Sequence, residues 1–247
     1  MTAADDTRGR LEIDPAVRKV ELKITVRVED EDDVLARARR ADAVPETREV
    51  FYFDTPGLEL FDAGVVLRAR LAHDGPDDST VKVRPVDPKE LSPDWLTHPR
   101  LELEVDVDGA EYVYSAKLSS DQDRGGVDAV SSGDREIRTL FTAEQMRLLD
   151  EEAALPVGWD ELGVLGPVGV RKWELEEEGF PYGIDVEEWV LPDRSNLVEL
   201  SITVDPAEGV EANSRFVELL REQGLDTEGD QKTKTRTALE YFSTRAR

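Results

Sequence analysis

Val65-Val66-Leu67-Arg68-Ala69-Arg70-Leu71-Ala72 is followed, after an Asp/Gly/Pro-rich loop, by Ser79-Thr80-Val81-Lys82-Val83-Arg84-Pro85-Val86. In a strand, successive side chains go to opposite faces. Arg68 and Arg70 therefore share one face and Leu67 and Ala69 the other; Lys82 and Arg84 repeat the pattern against Val81 and Val83. The pair reads as a β-hairpin with one charged and one apolar face. The same alternation runs through Lys19-Val20-Glu21-Leu22-Lys23, Leu101-Glu102-Leu103-Glu104, Val198-Glu199-Leu200-Ser201 and Lys232-Thr233-Lys234-Thr235-Arg236. A half-buried sheet normally turns its polar face to water. Here that face is rich in Arg, Lys and Glu and poor in Ser, Thr and Gln, which ordinary surface does not explain. A sheet curled around a water-filled interior does. An interior lined by both cations and carboxylates suits a polyanion held together with a divalent metal.

The 247 residues suffice for one large β-barrel domain or two small ones. No run approaches the roughly 18 apolar residues of a membrane span. Residues 1–16 read as a disordered N-terminal tail, and Met1 to Arg10 lack the apolar stretch of a secretory signal. The absence of Cys removes disulfides and thiolate chemistry and fits a cytoplasmic protein. His73 and His98 both stand beside Asp or Pro in expected loops, which leaves a His-based mechanism without support. A net charge of −25 argues against general nucleic-acid or membrane-surface binding. Ten of the 31 Lys and Arg, at 19, 23, 68, 70, 82, 84, 171, 232, 234 and 236, nevertheless fall in alternating segments. Acid outside and base inside would screen which polyanions enter.

Along the chain, strands are expected over 17–29, 50–54, 65–72, 79–86, 100–107, 169–176, 183–190 and 196–205. Asp30 to Asp33 supply a cap and acidic first turn for a short helix to about Arg40. Thr142 and Gln145 have capping-box spacing, and Pro206 to Gln223 reads as an amphipathic helix ended by Gly224. Residues 116–134, rich in Ser, Asp and Gly, read as a flexible surface insertion. The pattern predicts an α+β fold: one mostly antiparallel barrel within 17–242, with helices packed outside it. Those helices would cover Val20, Leu22, Ile24, Val81, Val83, Leu101, Leu103, Leu200 and Ile202. Trp173 and Trp189 read as packing residues.

Phe51-Tyr52-Phe53-Asp54-Thr55-Pro56, then Leu60-Phe61-Asp62-Ala63-Gly64 and Leu67-Arg68-Ala69-Arg70, resemble a run found in the CYTH superfamily, the triphosphate tunnel metalloenzymes. The Lys82-Val83-Arg84 segment, Arg100 to Glu104, Gly183 to Glu187 and the Lys232 to Arg236 run follow in family order. The superfamily includes class IV adenylyl cyclases, thiamine triphosphatases and inorganic triphosphatases. The resemblance implies an eight-stranded tunnel that grips a linear triphosphate or polyphosphate with basic residues. It assigns ligand contacts to Lys23, Arg68, Arg70, Lys82, Arg84, Arg171, Lys232, Lys234 and Arg236. It gives Mg²⁺ or Mn²⁺ the carboxylates Glu21, Glu102, Glu104, Asp185, Glu187 and Glu199, and puts Glu21, Lys23 and Arg68 at the centre of the chemistry. Phosphoryl transfer asks mainly for positioning and charge neutralisation, which these residue types supply.

Two positions depart from the family pattern. Its Glu-x-Glu-x-Lys opening is Lys19-Val20-Glu21-Leu22-Lys23 here, and its later Glu-x-Glu is Glu199-Leu200-Ser201. If the two strands face one another across the tunnel, both losses fall on one ion, and Lys19 would extend its ammonium toward Glu199 in the metal's place. The leading expectation is hydrolysis of a phosphoanhydride with a divalent metal. The alternatives are a non-catalytic triphosphate or polyphosphate-binding module with one metal site lost, an adenylyl cyclase, and a plain acidic structural barrel.

Overall fold

The alternating segments are strands, and they close on one another. The computed structural model describes residues 14–40, 44–108, 111–227 and 232–245, with side chains outside 106–112. In chain order they form β1 (Lys19–Thr25), α1 (Glu31–Arg40), β2 (Glu46–Asp54), α2 (Glu59–Asp62), β3 (Val65–Ala72), β4 (Asp77–Val83), α3 (Pro93–Leu96) and β5 (Leu101–Asp108). There follow β6 (Glu111–Gln122), α4 (Gly126–Ser131), α5 (Ala143–Glu152), β7 (Gly163–Leu175), β8 (Ile184–Val190), β9 (Asn196–Val204), α6 (Gly209–Glu222) and α7 (Lys234–Ser243). The strands make a closed barrel in the order β1-β5-β6-β4-β3-β2-β7-β8-β9, with β9 pairing back to β1. Every neighbouring pair is antiparallel except β1 with β5.

The barrel has nine strands among the described residues, not eight. The additional strand is β6, whose second half falls in the segment expected to be a flexible insertion. Residues 116–122 pair with β4, and Ala116 and Leu118 are fully buried. The Ser-rich composition hides this strand, although Ser115 and Ser120 are buried and Gln145 of α5 ties it to β4. Ser79 Oγ donates to Gln145 Oε1 at 3.1 Å, and Gln145 Nε2 donates to the carbonyls of Ser79 and Leu118. Gln145 also completes the expected capping box with Thr142, so one side chain starts α5 and seats it on β4 and β6. The helical turn α4 packs Val127 and Val130 into the same core.

The outward apolar faces are covered by helices, as the alternation requires. Val20, Leu22, Ile24, Leu200 and Ile202 pack with Val34, Leu35 and Ala38 of α1 and with Ala212, Phe216 and Leu220 of α6. Val81, Val83, Leu101 and Leu103 lie under α4 and α5, with Leu148 and Leu149. The segment at 232–236 is not a strand. Thr233 caps α7 by accepting the backbone N–H of Arg236, and Ala238 and Leu239 bury the helix against the barrel. Alternation at Lys232, Lys234 and Arg236 thus sits on a helix start, where tertiary packing overrides the period-two pattern.

Asp54 explains much of the Phe51-to-Gly64 run. Its carboxylate accepts the backbone N–H groups of Thr55, Leu60 and Phe61 at 2.7, 3.0 and 2.9 Å. This ties the end of β2 to α2 and fixes the turn into β3. Gly64 closes that turn with φ +79°, and a Cβ there would stand 1.8 Å from the Arg84 carbonyl oxygen. The Arg84 N–H donates to the Gly64 carbonyl at 2.9 Å, so the glycine also sets where Arg84 enters the barrel. Gly64→Ala is expected to lower unfolding free energy by about 2 kcal/mol or more in urea titration. A cost below about 0.5 kcal/mol would contradict the close approach.

Candidate functional site

The charged faces of the strands line one cavity of about 1180 Å³. Its lining contains thirteen Lys and Arg and seven Asp and Glu among the described residues, an excess of six cations inside a chain of net charge −25. Of the residues expected to contact a ligand, Lys23, Arg68, Arg70, Lys82, Arg84, Lys232, Lys234 and Arg236 line it. All six expected metal ligands, Glu21, Glu102, Glu104, Asp185, Glu187 and Glu199, line it too. Arg171 does not. It sits on the outer face of β7, where its guanidinium pairs with Glu188 at 2.6 Å, and Arg39 of α1 joins the same carboxylate at 3.2 Å. The inward position is its neighbour Lys172, whose Nζ lies 3.0 Å from Asp185. The outward set of β7 includes buried Trp173, and Arg171 shares Trp173's parity, so the sequence carried this signal.

Sequence reasoning also missed Arg18, Arg48 and Lys117, which line the cavity. Lys117 was hidden in the Ser-rich part of β6. Arg48 was legible: it shares the period-two face of Val50 and stands at the β2 end that pairs with β7.

The carboxylates are distributed among the cations. Glu104 takes Lys82 at 3.1 Å and Lys117 at 3.0 Å, and Lys117 also reaches Glu102 at 2.8 Å. Burial pushes the Glu104 carboxyl up, but Lys82, Lys117 and Lys23 more than offset this and hold it far below the usual carboxylate range. Glu187 accepts from Arg48 at 3.0 Å, from the Trp189 indole N–H at 2.9 Å, and from Lys234. Burial raises its carboxyl too, and Lys234 and Arg48 carry it well below the ordinary range. Asp185 differs: burial keeps it raised, and Lys172 only partly counters this.

Lys234 stands at the centre of this acid group. Its Nζ pairs with Glu187 and lies 2.8 Å from Glu199 Oε1, close enough for an ion pair but without hydrogen-bond alignment. Burial works against its charge, yet Glu187, Glu199 and Glu21 raise its pKa above that of an ordinary lysine. Lys19 does not fill this role. Glu199 is opposite Thr25, six residues along β1 from Lys19, or about 20 Å. β1 and β9 are hydrogen-bonded neighbours rather than facing strands, and Lys19 stands beside Glu104 in register.

A divalent ion held by protein alone needs several hard oxygens converging on one point. Among the described residues, no three Asp, Glu or His side chains converge in that way. Glu187 and Glu199 are taken up by Lys234, Glu104 by Lys82 and Lys117, and Glu21 by Lys23 at 2.8 Å. The donor set does not fit a divalent ion bound by the protein alone.

Arg68 is the opposite case. Its Nε is buried and has no hydrogen-bond partner among the described residues. Burial, and then the neighbouring Arg70, push its pKa down, and Asp78 and Glu187 only partly counter this.

By sequence, the chain matches no family model and no curated protein. By structure, it superposes on a candidate adenylate cyclase from Bacillus halodurans with TM-score 0.61 and 14% identity, covering 90% of this chain and 97% of that one. A candidate adenylyl cyclase from Hippeastrum, with a dominant triphosphatase activity, gives TM-score 0.61 at 15% identity and covers 91% and 96%. The chain shares the fold of these two structures. Within that fold the inward alternation of charge is the tunnel lining expected from sequence. Among the described residues, no helix is long and apolar enough to cross a membrane.

The depressed carboxyls give a signed pH dependence. Groups whose folded pKa lies below the ordinary 4.5 contribute stability above that pH and lose it as pH falls toward the folded value. Unfolding free energy should therefore fall steadily below about pH 4.5. In Glu104→Gln/Glu187→Gln the slope should flatten, beside a loss of about 3 kcal/mol at neutral pH from stranding the lysines. An unchanged slope in chemical denaturation across pH 3 to 6 would refute the pairing.

Proposed function

We propose that the tunnel binds a linear triphosphate, free or carried by a small molecule, through its inward-facing cations. One observation carries this reading: among the described residues, the buried Arg68 Nε lacks a partner, beside Arg70, in a cavity lined by six more cations than carboxylates. A guanidinium fork matches phosphate oxygens, and a triphosphate spreads several negative charges along a length that many strands can reach at once. The acidic exterior opposes large anionic polymers such as nucleic acid and leaves small polyanions as the chemistry that fits the interior.

Hydrolysis of the bound phosphoanhydride, with Mg²⁺ or Mn²⁺, is the second reading. It is favoured by the triphosphatase activity named for the Hippeastrum neighbour and by Glu21, which faces the cavity beside Lys23. Glu21, Lys23 and Arg68 remain its catalytic candidates. Since the carboxylates do not assemble an ion site, this reading requires the ion to come with the ligand.

Tripolyphosphate is expected to raise the melting temperature in a saturable way, and Arg68→Met to weaken binding at least about tenfold. A flat titration overturns the binding reading. Phosphate release that needs Mg²⁺ or Mn²⁺ and disappears in Glu21→Gln establishes the second. Restoring both family carboxylates, Lys19→Glu with Ser201→Glu, is expected to increase metal-dependent release, and no increase counts against hydrolysis by this route.

A further inference from the structure

We infer that the tunnel takes its triphosphate in the metal-free form, with the Lys234 ammonium serving as the fixed cation that a divalent ion would otherwise supply. This rests on the binding reading above and adds which ionic form of the ligand is recognised.

The argument begins with what surrounds the acid pair. Glu187 and Glu199 are side by side in register on β8 and β9 and both point inward. Glu199 is 3% exposed, so two adjacent carboxylates need a cation among them. Lys234 provides it, with its side chain only 14% exposed. The ammonium is locally held in place. Thr233 caps the first turn of α7, and Ala238 and Leu239 bury the helix behind it. Thr25 Oγ1 donates to the Lys232 carbonyl at 3.0 Å, tying the approach to α7 to the end of β1. The Lys234 Nζ also lies 5.4 Å from the centre of the Trp189 ring, whose indole N–H is held by Glu187. A divalent ion entering here would have to displace an ammonium whose charge Glu187, Glu199 and Glu21 all favour.

The two sequence departures agree with this. Ser201 sits between Asp185 on β8 and Lys23 on β1, and Lys19 faces the cavity at the other end of β1. Each replaces a carboxylate of the family pattern with a group that offers a divalent ion no anionic oxygen. Both changes make the cavity more positive, and the surplus suits an uncomplexed triphosphate better than one already neutralised by Mg²⁺.

The test is calorimetric titration of tripolyphosphate into the full chain freed of metal with a chelating resin, repeated with Mg²⁺ or Mn²⁺. The expected result is binding in the metal-free state, weakened or unchanged when Mg²⁺ complexes the ligand. An affinity that rises about tenfold or more with Mg²⁺ overturns the inference and leaves the binding reading standing. No binding in either state overturns both. Lys234→Gln is expected to reduce metal-free affinity at least about tenfold and to make Mn²⁺ restore part of it; affinity equal to the parent in both states overturns the role of Lys234. Should that variant fail to fold, Mn²⁺ electron paramagnetic resonance on the unaltered protein decides: an unperturbed free-ion signal without ligand supports the inference, and stoichiometric binding overturns it.

Discussion

Charge balance inside a closed barrel is the constraint on which the rest depends. Strand geometry forces every second side chain inward, and this sequence makes many of those side chains ionic. Closing the sheet therefore brings like charges within a few ångströms of one another across a partly dehydrated space. Among the described residues, seven carboxylates interspersed with thirteen cations make that tolerable, and the pairings are specific. Lys117 bridges Glu102 and Glu104, Lys172 takes Asp185, and Lys234 serves Glu187 and Glu199. The interior acids thus have a structural task whatever ion or ligand they meet. What the pairing leaves over is positive, and the buried Nε of Arg68 is part of that surplus.

The outside of the barrel obeys a simpler rule. Most inward charges on the strands have an outward apolar neighbour, and the helices cover those neighbours. Phe216 of α6 lies on the backs of β1 and β9 and Leu35 of α1 on those of β7 and β8, while α5 and α4 cover β3, β4 and β6. Helix placement in turn fixes strand register, since a slip by one residue would exchange the two faces.

Much of this was legible from residues alone. Val65 to Val83 alternates so regularly that hairpin, inward face and outward core followed directly, and they are as read. The misreadings have particular causes. β6 is hard to read because a serine suggests a solvent-facing position, whereas Ser115 and Ser120 are buried. Arg171 and Lys172 are adjacent cations, and only the parity of buried Trp173 marks Lys172 as the one that faces the cavity. Lys232 to Arg236 alternates like a strand over too few residues to outvote the cap at Thr233 and the apolar pair Ala238 and Leu239. That Lys234, rather than Lys19, balances Glu199 depends on a contact between distant segments that local pattern does not encode.

The same long-range closure bears on how the chain is made. Val20 pairs with Val204, and β1 is the strand that joins the first-made end of the sheet to the last. During synthesis β1 and its apolar face wait for most of the chain before they can be covered from that side. Glu187 and Glu199 wait longer still, because their ammonium arrives on α7. A nascent chain halted before residue 234 would carry two adjacent acids with nothing from α7 to balance them, so α7 completes the charge pattern around Glu187 and Glu199.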